Sequence, residues 1–158
     1  MFPIREYQEK IEQFYALMLA NKNIVDIKLA DDKWTLKEML GHLVDSASNN
    51  HQWFIRLQLE KQASFPAYDQ EAWKNATKIT AYNFEDLVNL WKSYNQFLLH
   101  IIQQIDENNL SNVWVEKQIT LKEKVEDYFV RHMNWHLDLY KTRIEEINAA
   151  VLFSNSCS

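Results

Sequence analysis

The chain has 158 residues, a mass of 19.0 kDa and a formal charge of −5, from 17 Lys+Arg against 22 Asp+Glu. It holds one Gly and two Pro, where average usage would give about 11 and 8. So few turn-formers exclude the many tight turns of a β-sandwich, barrel or propeller, and a lone glycine excludes a glycine-rich phosphate loop. The acidic balance argues against nucleic acid as a partner, which needs a basic stripe to release counterions. No apolar run reaches the roughly 18 residues of a membrane span. The single Cys157 excludes an internal disulfide and a cysteine-rich zinc site. With no visible signal peptide, a reducing cytoplasm is the expected compartment.

The elements read as helices. From about Ile4 to Ala20, the residues Tyr7, Ile11, Phe14, Tyr15 and Met18 recur at three- and four-residue spacing and make one apolar stripe. Thr35 followed by Glu38 is a capping box that opens a second helix, whose buried face runs through Leu36, Met39, Leu40, Leu43, Ala47, Phe54 and Leu57 to about Glu60. Pro66 breaks the periodicity, and a short helical turn is expected over Gln70 to Asn75. Asn83 and Asp86 cap a third helix carrying Leu87, Trp91, Leu98, Ile101 and Ile105. Val113, Trp114 and Val115 read as a short extended piece in a polar connection. Thr120 and Glu123 then cap a long fourth helix through Val125, Phe129, Leu139 and Ile147. The expectation is all-α: one four-helix-bundle domain over residues 1–152 with long connecting loops, and a disordered tail over 153–158.

Of the five histidines, His132 and His136 lie four apart on one predicted helix and so share a face one turn apart. Two imidazoles so placed can point at one transition-metal centre, although most such pairs bind nothing. His42 follows Gly41, the only glycine, in the middle of the second helix, where glycine costs about 1 kcal/mol relative to alanine. That cost signals close approach of another element or of a ligand, and the fourth helix is one candidate. Asp45, Ser46 and Asn49 share a face with His42 and are placed either to orient an imidazole through its second nitrogen or simply to meet solvent. His51, half a turn away, reads as a separate surface or loop-packing residue. Ser46, Ser48 and Cys157 lack the setting of a nucleophile, and no repeated Glu-x-x-His motif indicates a di-iron bundle. No catalytic residue stands out.

The stretch Trp34-Thr35-Leu36-Lys37-Glu38-Met39-Leu40-Gly41-His42-Leu43-Val44-Asp45-Ser46-Ala47 resembles the second-helix signature of the DinB/YfiT-like superfamily of metal-binding four-helix proteins. Asn49 to Arg56 and Phe65 to Trp73 resemble one bacterial branch of it, and Asp127 to Leu137 resembles the family's His-x-x-x-His element. The resemblance spans about Tyr7 to Ile147. It implies a divalent metal, commonly zinc or nickel, on His42, His132 and His136, with Trp135 standing where related sequences often have a further histidine. It also implies a transferase using a low-molecular-weight thiol; three imidazoles that leave an open metal position equally suit a hydrolase using metal-activated water, and the alternatives are a metal-binding or stress-related binding protein without turnover and a structural helical dimer. The small-molecule substrate would meet Asp45 and Asn49 from the helix, and Tyr68, Asp69 and Trp114 from loops over the cleft. Family bundles often pair, so a homodimer is expected.

Overall fold

The apolar stripes fold into a four-helix bundle in the computed structural model, which describes residues 1–156, with side chains through residue 153. The long helices are α1 (Ile4–Ala20), α2 (Leu36–Leu59), α4 (Phe84–Gln103) and a fourth, three-part helix. The short α3 (Gln70–Thr77) sits in the connection between α2 and α4. The fourth helix begins as α5 (Leu121–Glu126), widens into a π-helical turn over Asp127–His132 and continues as α6 (Met133–Ser156). The sequence predicts a single long helix there. It also predicts disorder from Phe153, whereas α6 runs on to Ser156; Cys157 and Ser158 lie outside the described residues.

Side-chain chemistry sets the boundaries. Thr35 Oγ1 accepts from the Glu38 amide at 3.1 Å, and the Glu38 carboxylate accepts from the Thr35 amide at 2.8 Å. This reciprocal pair satisfies two of the amide donors that a helix start leaves orphaned. Thr120 and Glu123 repeat it at α5, and the Asn83 side chain caps α4. The core forms where the four stripes meet. Phe14 of α1 meets Trp91 of α4 and Tyr140 of α6 edge-on, both at 5.3 Å, and Tyr7 stacks on Phe129 at 4.9 Å. All five rings are buried, and these two aromatic groups tie α1 to α4 and to the fourth helix.

The connections carry more structure than the sequence suggested. Gln62–Ala63 (β1) pairs in parallel with Val113–Trp114 (β2), which pairs antiparallel with Ile119–Thr120 (β3). The extended piece at Val113 and Trp114 was expected; its partner fifty residues upstream was not, because two-residue strands have no readable alternation. Since β3 runs directly into α5, the sheet brings Trp114 beside the first turns of the fourth helix.

The segment from α3 to the 3₁₀ turn Ile79–Ala81 docks on the start of α2. Lys37 Nζ donates to Thr80 O at 2.8 Å, and Trp34 Nε1 donates to a Glu71 carboxylate oxygen at 2.7 Å. This docking accounts for the lone glycine. A Cβ on Gly41 would stand 2.6 Å from Ile79 Cγ1 and 3.1 Å from Ile79 Cβ. The close approach is made by this turn, rather than by the fourth helix or a ligand.

Candidate metal centre

Three helical positions converge at one end of the bundle. His42 comes from α2, His132 from the end of the π-helical turn and His136 from the first turn of α6. Their ring centroids lie 4.9 Å (His42–His136), 4.4 Å (His132–His136) and 5.9 Å (His42–His132) apart. Each ring offers one nitrogen within 4.8 Å of the others, a set that could hold a metal ion. π-helical turns recur at functional sites because the wide turn re-aims the side chains that follow it.

The electrostatics favour neutral rings. Burial pushes the His42 imidazole down to about 4. Burial, followed by the charge of neighbouring groups, pushes His132 to about 4 and His136 to about 2. At neutral pH all three therefore keep a lone pair free for a cation, the state that metal ligation requires. Two of their nitrogens, His132 Nδ1 and His136 Nδ1, are buried and have no hydrogen-bond partner. An imidazole donor set suits zinc, nickel and other first-row divalent ions. Clustered, neutral and under-satisfied imidazoles thus fit such an ion.

Of the three α2 residues placed to orient an imidazole, Ser46 reaches one, and Tyr68 from the following connection reaches another. His42 Nδ1 lies 3.1 Å from Tyr68 Oη, and His132 Nε2 lies 3.3 Å from Ser46 Oγ. Asp69 places the tyrosine: its Oδ1 accepts from the amides of Glu71 and Ala72 at 2.9 and 3.1 Å and so caps α3, one residue after Tyr68. Asp69 itself faces a neighbouring groove, away from the imidazoles. Tyr68 is pushed up to about 12, chiefly by burial, so it stays a neutral phenol. Asp45 is half-buried, with its carboxyl pushed up to about 6 by burial, and it lies off the cleft wall. Asn49 does line the cleft, but its amide donates to Asp45 O at 2.9 Å. Among the described residues, no hydrogen bond joins either side chain to the three imidazoles.

The histidines sit in an open cleft of about 480 Å³. Trp114 lines it as expected, buried against Trp53 with ring centroids 3.9 Å apart. Trp53, Lys124 and Arg131 also line it and were missed by sequence reasoning. The signal was present in the spacing. Ser46, Asn49, Asn50 and Trp53 follow His42 by 4, 7, 8 and 11 positions, one continuous helical face. Lys124 precedes His132 by eight, on the face of the histidines. Trp135, in the place of a family histidine, lies edge-on to His136 at 4.5 Å and is mostly exposed. His51 stands apart, its Nδ1 3.1 Å from Tyr94 Oη on α4.

Three comparisons bear on kinship. The family model described as the DinB superfamily matches residues 11–139. No curated protein matches the sequence. Among solved structures, the chain is similar to YfiT from Bacillus subtilis, described as a probable metal-dependent hydrolase with an unusual four-helix bundle topology. The TM-score is 0.73 at 17% identity, covering 96% of this chain and 90% of that one. At that identity the likeness shows the fold alone, but the family match spans most of the sequence, from α1 into α6: the chain belongs to the DinB superfamily.

Proposed function

We propose that this protein is a metal-dependent enzyme that activates a small nucleophile at His42, His132 and His136, with hydrolysis as the leading reaction. The observation that carries this reading is the set of three neutral imidazole donors within 4.8 Å at the wall of an open cleft of about 480 Å³. YfiT's description as a probable metal-dependent hydrolase supports the same reading. A divalent ion bound by three neutral imidazoles keeps its charge and an open position, and lowers the pKa of water there towards about 7.

The protein's own groups do the rest. With its proton on Nδ1, His42 donates to Tyr68 Oη and leaves Nε2 free as a ligand; such outer contacts fix ring orientation and raise basicity. Tyr68, held neutral by burial, is a donor or acceptor that does not ionise at working pH. Trp53 and Trp114 exclude water from one wall and offer flat apolar surface to a substrate.

A second reading, transfer of a low-molecular-weight thiol, is favoured by one observation. The only carboxylate lining the cleft among the described residues, Asp127, is ion-paired with Arg131 and poorly placed as a general base. A thiol ionises near pH 8.5 and needs such a base less than water does. Cobalt-substituted protein separates these readings. Hydrolysis of p-nitrophenyl acetate that is lost in His136→Ala supports the hydrolase. A visible-spectrum change with 2-mercaptoethanol, accompanied by thiol transfer to 1-chloro-2,4-dinitrobenzene, supports the transferase. Bound metal with neither activity leaves a metal-binding protein without turnover.

A further inference from the structure

The cleft contains a cation that the three-histidine chemistry does not use. Lys124, on α5, lines the same cavity as His132 and His136. Its ammonium lies over the Trp114 ring at 5.6 Å. Among the described residues it makes no hydrogen bond and no ion pair. The nearby candidate partner, Asp127, is taken: its carboxylate accepts from Arg131 Nε one turn further on. Lys124 is also largely desolvated, and burial pushes its ammonium below the usual lysine range.

A lysine in this position is costly unless something pairs with it. Five other lysines show the alternative. Lys22, Lys28, Lys33, Lys74 and Lys92 each reach a glutamate within 4 Å. Lys124 instead lines a cavity whose histidines are neutral and whose other two charged residues, Asp127 and Arg131, pair with each other. The cleft wall therefore carries one positive charge without an ion-pair partner, beside two indoles in tilted contact.

We propose that Lys124 anchors the ligand of this cleft, which is a monoanionic small molecule: a carboxylate paired with Lys124 Nζ and an apolar or aromatic body lying against Trp53 and Trp114. Apart from the charge of an ion at the histidines, the wall offers one unmatched cation, which fits one carboxylate charge better than a phosphate dianion. The proposal deepens the enzymatic reading, since it names the substrate class of the same cleft, and the carboxylate fixes which end of the molecule faces the histidines. Lys124 is a binding and specificity residue; it takes no part in bond making.

The test uses full-length protein stripped of metal with EDTA, so that a carboxylate cannot bind an ion instead. Phenylacetate and its neutral counterpart phenylacetamide are titrated by tryptophan fluorescence, with ligand-observed NMR for weak binding. Phenylacetate should bind at least tenfold more tightly, and the advantage should shrink as salt rises. Lys124→Met, which keeps the side-chain length, should abolish the preference. Lys124→Arg should retain most of it, and Lys122→Met, on the exposed face of the same helix, should leave it unchanged. Melting curves establish that each variant is folded, and Lys124→Gln repeats the test if the methionine variant is not.

Equal binding of the two probes, no binding of phenylacetate, or a preference that survives in folded Lys124→Met would each overturn the proposal. Phenyl phosphate binding more tightly than phenylacetate would overturn the monoanion assignment. Because no metal is present, the outcome is independent of the three-histidine reading: a protein without metal affinity can still show the Lys124 preference, and a metalloenzyme can lack it.

Discussion

Lowering the pH of metal-stripped protein from 7.5 to 5.0 should destabilise it by several kcal/mol, through the three clustered histidines. Their folded pKa values are depressed, to about 4, about 4 and about 2, from a usual 6.5. As the pH falls below 6.5 the unfolded chain takes up protons that the folded chain refuses. The stability is therefore complete above about 6.5 and declines as pH falls towards 4. Each refused proton is worth about 1.4 kcal/mol per pH unit, so each histidine loses about 2 kcal/mol by pH 5.0 and the three together about 6. Asp45 acts with the opposite sign, since burial raises its carboxyl to about 6 and the folded chain protonates it first. It is half-exposed and screened by water, so its offset is below about 1 kcal/mol. The net loss, about 5 kcal/mol, is comparable to the whole stability of many domains. Urea unfolding in EDTA at the two pH values measures it, with His42→Gln/His132→Gln/His136→Gln as the control that should lose most of the difference. Equal stability of the wild type at pH 7.5 and 5.0, or a full pH dependence in the triple variant, would refute the assignment of three buried neutral imidazoles.

Three further outcomes are expected. Tyr68→Phe removes the hydroxyl 3.1 Å from His42 Nδ1 and should weaken metal affinity by about 10- to 100-fold with little change in melting temperature, as read by competition with a chromophoric chelator. Gly41→Ala places a methyl against Ile79. Overpacking of about 1–3 kcal/mol should exceed the roughly 1 kcal/mol gain in helix propensity, and Gly41→Ala/Ile79→Ala should recover the loss in a double-mutant cycle. Thr35→Ala breaks the capping box of α2 and should cost about 1 kcal/mol by urea titration, while a functional His42 site is retained.

The bundle was legible because its four stripes are long and regular. Tyr7, Ile11, Phe14 and Met18 alone define a buried face, and the Thr35–Glu38 and Thr120–Glu123 pairs mark helix starts to the residue. The histidine pair was legible for the same reason, since helical spacing converts sequence distance into direction. The rest depended on contacts between distant segments. Nothing local ties Gln62 to Val113, or places Tyr68 on His42 through a helix capped by Asp69; these follow from how the connections dock. The π-helical turn at Asp127–His132 left no periodic trace because one extra residue per turn is lost within a six-residue window. Asp45 illustrates the converse limit. It lies three positions after His42, close enough in angle to invite a role, yet off the stripe that Ser46, Asn50 and Trp53 extend into the cleft.

The central claim is that His42, His132 and His136 together hold one divalent ion. Metal content by plasma mass spectrometry, on untagged protein and on the His42→Ala, His132→Ala and His136→Ala variants, tests it most directly. The account predicts about one zinc, nickel or similar ion per chain in the wild type after purification or reconstitution, and its loss in all three variants. A wild type that takes up no metal, or a folded variant that retains it in full, would contradict the account.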